Sequence, residues 1–125
     1  LGDKLAGPDV ETGQGLVYDL TEVNTKPTPA VLAQGPPKVE VLRGALTLAT
    51  DSTWIVSLIF RLSGPGSVQT ETSTVRGNYT RVNTALTLKL ATTGATHYSG
   101  TWSSTNVLLT DMNSTSSDRF AFRIR

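Results

Sequence analysis

The segment LTLATDSTWIVSLIFRL, residues Leu46 to Leu62, decides how the chain is read. Its second half, from Trp54 onward, is apolar at nearly every position. Such text belongs to a membrane segment, to a buried strand, or to a strand that meets a partner on its outer face. With strand periodicity, Trp54, Val56, Leu58, Phe60 and Leu62 share one face, and Ile55, Ser57, Ile59 and Arg61 the other. The run falls well short of the ~18 apolar residues of a membrane helix. It is long enough for a membrane-crossing β-strand, but a barrel of that kind needs an apolar outward band on every strand. The second faces of other segments, such as LTLKL and FAFRIR, carry Thr, Lys, Ala and Arg. The pattern therefore predicts no membrane-spanning segment and a central strand with two buried faces. The inner face fills a core, and Ile55 and Ile59 lie under an N-terminal arm or a second subunit.

Working outward, VEVLRGALTLAT reads as one long strand with an irregularity at Arg43 and Gly44, because a glycine inside a strand pattern marks a bulge or bend. Asp51-Ser52 and SGPGS read as turns. VQTETSTVRG alternates Val68, Thr70, Thr72 and Thr74 against Gln69, Glu71 and Ser73. After NYTRV and a turn at Asn83-Thr84, ALTLKLATT sets Leu86, Leu88 and Leu90 on one face. GATHYSGTWSS does the same for Tyr98 and Trp102, and RFAFRIR for Phe120, Phe122 and Ile124. On the N-terminal side LVYDLTEV alternates from Leu16, two prolines in NTKPTPA break any ladder, and VLAQGPPK reads as a loop or short helical turn. Residues 1–15, LGDKLAGPDVETGQG, hold four glycines and a proline without a period and read as an extended arm, ordered only where it docks. Eight or nine short strands at close spacing predict an all-β fold. The expectation is an antiparallel up-and-down β-barrel over 16–125 with an N-terminal arm over 1–15.

The 125 residues suit one domain. A net charge of +1, with eleven scattered Lys and Arg, gives no electrostatic case for nucleic acid or an acidic membrane surface. Cysteine is absent, which removes disulfides, thiolate metal sites and cysteine nucleophiles. Thr and Ser make up roughly a quarter of the chain, a profile typical of exported β-proteins. The first residue is Leu, so the chain reads as a mature or trimmed form. The expected location is periplasmic, cell-surface or extracellular.

Several phrases, in order, resemble the small secreted bacterial lipocalin-like barrels. They are YDLTEVNTKPTPA, GALTLATDSTWIVSLIFR, RGNYTRVNTALTL, YSGTWSSTNVLLTD and RFAFRIR. The resemblance covers about 16–125 and implies a calycin-type barrel, in a group whose members mostly have no established function. The chain departs from it in lacking the lipidated cysteine that opens many lipoprotein members, and in the composition of the loop after the first strand. No functional residue carries over.

Candidate chemistry is sparse. The sole histidine, His97, lies beside a turn with no spacing that pairs it to a nucleophile, and reads as a solvated or hydrogen-bonded surface histidine. One histidine and no cysteine leave only carboxylates for a metal, and the ten carboxylates are dispersed, so no catalytic residue, metal or cofactor is expected. Two sequons, at Asn78 and Asn113, are common by chance in so Thr-rich a chain. The aromatic set is the informative one. Trp54, Val56, Leu58, Phe60, Tyr98, Trp102, Phe120 and Phe122 are candidates to line the barrel interior, either around a small apolar ligand or filling it. A filled interior is the preferred expectation. Ile55, Ile59, Leu1, Leu5 and Val10 are the candidate partner contacts. The leading expectation is a non-catalytic exported barrel. It would act as a structural or accessory subunit of an envelope or extracellular assembly, with protein subunits, self or other, as partners. The alternatives are a lipocalin-like carrier or sensor of a small apolar ligand and, more weakly, a barrel cyclase-type enzyme.

Overall fold

Turn chemistry sets the strand ends. Asn24 and Thr25 both take left-handed backbone (φ 52° and 71°) and close a two-residue hairpin. Ser52 and Asn83 (φ 69° and 57°) reverse the chain in the predicted Asp51-Ser52 and Asn83-Thr84 turns, and Gly66 (φ 78°) does so in SGPGS. Asp51 fixes its turn by accepting the Thr53 N–H at 3.1 Å.

The computed structural model describes residues 15–113 and 117–125. The described strands are β1 (Gly15–Val23), β2 (Lys26–Pro27), β3 (Ala30–Ala33), β4 (Lys38–Ala49), β5 (Thr53–Gly64), β6 (Ser67–Val82), β7 (Ala85–Leu90), β8 (Thr96–Trp102), β9 (Asn106–Asp111) and β10 (Arg119–Ile124). Strands β4 to β10 pair in sequence order, each antiparallel to the next. β1 pairs with both β10 and β4 and so closes the wall, leaving β2 and β3 as short additions outside the eight-stranded barrel. The up-and-down barrel is as the sequence predicts. Two details differ. Val31 and its neighbours, read as a loop or helical turn, form β3, because Ala30 is buried against Val41 at the margin of β4. Gly15, assigned to the arm, already pairs with Ala49. Leu1, Leu5 and Val10 lie outside the described residues. Among the described residues no helix is long and apolar enough to cross a membrane.

Three bulges keep the apolar side chains inside. On β5 the inward residues are even-numbered throughout: Trp54, Val56, Leu58 and Phe60. Opposite them β4 presents Leu48, Leu46 and Gly44, then Val41, so its inward phase changes from even to odd. The one extra residue between Val41 and Arg43 makes that change, because the pleat alternates with a period of two. It sits one residue before the predicted irregularity. On β1 a shift between Leu20 and Glu22 moves the inward phase from Tyr18 and Leu20 to Val23. On β8 the shift leaves His97 without a partner on β7, while its carbonyl accepts the Met112 N–H at 2.8 Å.

Candidate interaction surfaces

The barrel interior is filled by its own side chains. Tyr18, Leu46, Trp54, Val56, Leu86, Leu88, Tyr98, Leu109, Phe120 and Phe122 are all buried in one cluster. Of the residues predicted to line the interior, Trp54, Val56, Leu58, Tyr98, Phe120 and Phe122 are buried there, while Phe60 and Trp102 are half-buried and pack against the cluster. The described concavities of about 770, 240 and 150 Å³ are open surface features. The largest of these is bordered by Thr21, Thr101, Trp102, Leu108, Ala121 and Phe122.

Aromatic groups close the two ends. Trp54 lies where β6 and β7 meet, and its indole Nε1–H is shared between the Lys89 carbonyl (2.9 Å) and the Asn78 carbonyl (3.1 Å). Gly77 makes this approach workable, since a Cβ there would stand 1.7 Å from the Lys89 oxygen and 2.9 Å from Nε1. Tyr98 meets the Trp54 ring edge-on at 5.8 Å and the Phe120 ring at 6.1 Å. Burial, reinforced by the Asp111 charge, pushes the Tyr98 phenol well above its ordinary range. His97 is half-buried and hydrogen-bonded: its ring packs on Tyr98 at 4.5 Å, and its Nδ1 stands 2.8 Å from the Asn113 amide nitrogen.

At the other end Trp102 donates its indole N–H to the Tyr18 hydroxyl (2.9 Å), and Tyr18 donates in turn to the Ser103 carbonyl (3.3 Å). The Arg81 guanidinium lies 3.9 Å over the Trp102 ring. Tyr79 donates to the Ala49 carbonyl at 2.8 Å. Burial raises both tyrosines, opposed at Tyr18 by the Trp102 hydrogen bond and at Tyr79 by Arg81. The sequence reading missed Tyr18 and Tyr79. Tyr18 shares the phase of Leu20 and could have been found that way, whereas Tyr79 follows a mostly polar strand that gives no such signal.

The outer face of β1, β4 and β5 behaves differently from the rest of the wall. Val17, Ala45, Thr47, Ser57 and Ile59 are outward by phase, yet they are only 6, 0, 6, 3 and 9% exposed. They form one patch, because Val17 pairs with Thr47, Ala45 with Ser57, and Thr47 with Ile55, which is itself half-buried. The two predicted isoleucines therefore sit on a shared face of small and apolar residues. Among the described residues, every strand that β4 and β5 contact extensively is a neighbour in the sheet, not an element lying across this face. Further along β5, Arg61 donates to Glu40 at 3.0 Å, which holds the Glu40 carboxyl below its usual range. Among the described residues no group of three or more His, Cys, Asp or Glu stands close enough to hold a metal ion. No protein-family model matches the chain, and neither the curated proteins nor the solved structures include a significant match.

Proposed function

We propose that this chain is a non-catalytic, exported β-barrel that serves as a structural or accessory subunit of an envelope or extracellular assembly. It engages its neighbours through its N-terminal segment and the outer face of β4 and β5. The observation that carries the reading is an interior filled by its own aromatic and aliphatic side chains; the small and apolar residues that β1, β4 and β5 set on the outer face support it. A carrier would need an interior volume of a few hundred Å³ for its ligand. The interior side chains instead pack on one another, and the polar tips of Trp54, Trp102, Tyr18 and Tyr79 are engaged with the main chain or with one another. The likeness to small secreted lipocalin-like barrels agrees with the exported assignment and assigns no chemistry.

The test compares the full chain with a variant lacking residues 1–14 and with an Ile55→Thr/Ile59→Thr variant, by sedimentation and by melting. Threonine keeps β-propensity while removing apolar area. The reading expects both variants to remain folded barrels and to lose association, stability or both. Burial of an isoleucine side chain is worth ~1.5–3 kcal/mol, so the change at Ile55 and Ile59 is large enough to measure. Variants matching the full chain in both sedimentation and melting would remove the outer face from the function.

A further inference from the structure

Strand β6 is longer than either of its neighbours allows. Its residues Ser67 to Asn78 pair with β5 without a register shift, but β7 reaches back only to Gly77 opposite Leu90, and the Ala91 N–H donates to the Arg76 carbonyl at 3.2 Å. Before Arg76, the β7 side of β6 has no partner among the described residues. The Arg76 carbonyl points to that side. Antiparallel alternation therefore points the N–H and C=O groups of Thr74, Thr72 and Thr70 to it as well. The side chains from Ser67 to Thr74 are all exposed. Native edges are commonly blunted by proline, lysine, a bulge or a covering element. This stretch contains no proline and no lysine, and its pairing with β5 has no bulge.

We infer that this edge pairs with the same edge of a second copy, antiparallel about a two-fold axis at Thr72. The inference rests on the subunit reading, to which it gives a partner, a second copy of this chain, and a contact separate from the outer face of β4 and β5. A two-fold axis perpendicular to the sheet sets a residue opposite its own copy. Centred on Thr72, the pairing joins Thr72 to Thr72, and Thr70 to Thr74 twice, using only main-chain groups that β7 leaves free. It places each Glu71 carboxylate across from the copy's Ser73, whose hydroxyl can donate to it, so the hydrogen bond forms twice. Centred on Glu71, the same edge would set two carboxylates opposite each other, which is unfavourable. The chosen register contains no like-charge pair. It joins β3 to β6 of both copies into one continuous sheet that extends beyond each barrel.

The absence of cysteine from the chain makes the test clean. The full chain carrying Thr72→Cys is oxidised mildly and compared with Thr101→Cys, an exposed site on β8 whose two edges are both paired. Directly opposed residues in such a pair have Cα atoms about 5.5 Å apart, within the range a disulfide spans. The inference expects a covalent dimer from the Thr72→Cys variant and none from the control. Thr72→Pro removes one free N–H on the open edge without taking a donor from the β5 ladder, and should shift the full chain from dimer to monomer in sedimentation. Association that survives Thr72→Pro, with no cross-link in the Thr72→Cys variant, would overturn the edge pairing while leaving the subunit reading standing. A chain that sediments as a monomer at every concentration would overturn the self-pairing itself. Loss of association on removing residues 1–14, with the Thr72→Cys cross-link retained, would assign a separate contact to the N-terminal segment and leave the edge pairing intact.

Discussion

Trp54 shows how one side chain can bind together elements distant in sequence. Its ring fills the core, its N–H holds the β6–β7 junction, and Gly77 provides the space for both. Trp54→Ala should cost ~3–5 kcal/mol, read as a fall in the denaturation midpoint. Gly77→Ala should also destabilise, because its Cβ would collide with main-chain oxygen that cannot move aside. Phe60→Ala should cost less than Trp54→Ala, since Phe60 lies at the half-buried margin. An equal or larger loss at Phe60 would move the centre of the core. The tyrosines give a pH signature. Tyr98, Tyr18 and Tyr79 all have raised folded-state values, so the folded protein keeps protons that the unfolded chain releases near pH 10. Their contribution is complete below that value and is lost as the pH climbs through the folded-state values. Melting temperature should therefore fall through the alkaline range, and Tyr98→Phe should flatten the fall.

At the scale of the element, the decisive devices are single extra residues. Leu42 occupies the bulge of β4 and lets Val41 and Leu46 both face inward although their numbers differ in parity. Inserting one further residue after Leu42 should turn the segment before it inside out, or force a slip against β5. The expected result is loss of near-ultraviolet dichroism, with a steep drop in stability; an insertion variant with native spectra and midpoint would contradict the assignment. The sequence made the β4 bulge visible through Gly44 inside a strand pattern. No comparable sign marks Thr21 or His97, where neither glycine nor proline interrupts the alternation. β3 was missed for a related reason. Its apolar text is short and flanked by prolines, and it becomes a strand only because β4 extends a margin for it to pair with. The inward phases of β5, β7 and β10 were legible because each alternates without interruption.

At the scale of the whole molecule, eight strands close a barrel whose interior is occupied by its own side chains, and its distinctive features are on the outside. They are the small and apolar outer face of β4 and β5, and the long side of β6 that has no partner among the described residues. Neither could be located from sequence alone, because the first depends on the register between strands and the second on β7 ending at Leu90. Ile55 and Ile59 indicated an outer contact but not its small-residue neighbours Ala45, Thr47 and Ser57, which pairing across β4 and β5 brings beside them. The central claim is that this barrel works through its exterior. Native mass spectrometry of the chain purified under gentle conditions tests it most directly. The account predicts masses equal to whole multiples of the bare polypeptide, with no small molecule retained. A retained apolar compound that is lost on Trp54→Ala, from a chain that stays monomeric, would contradict it.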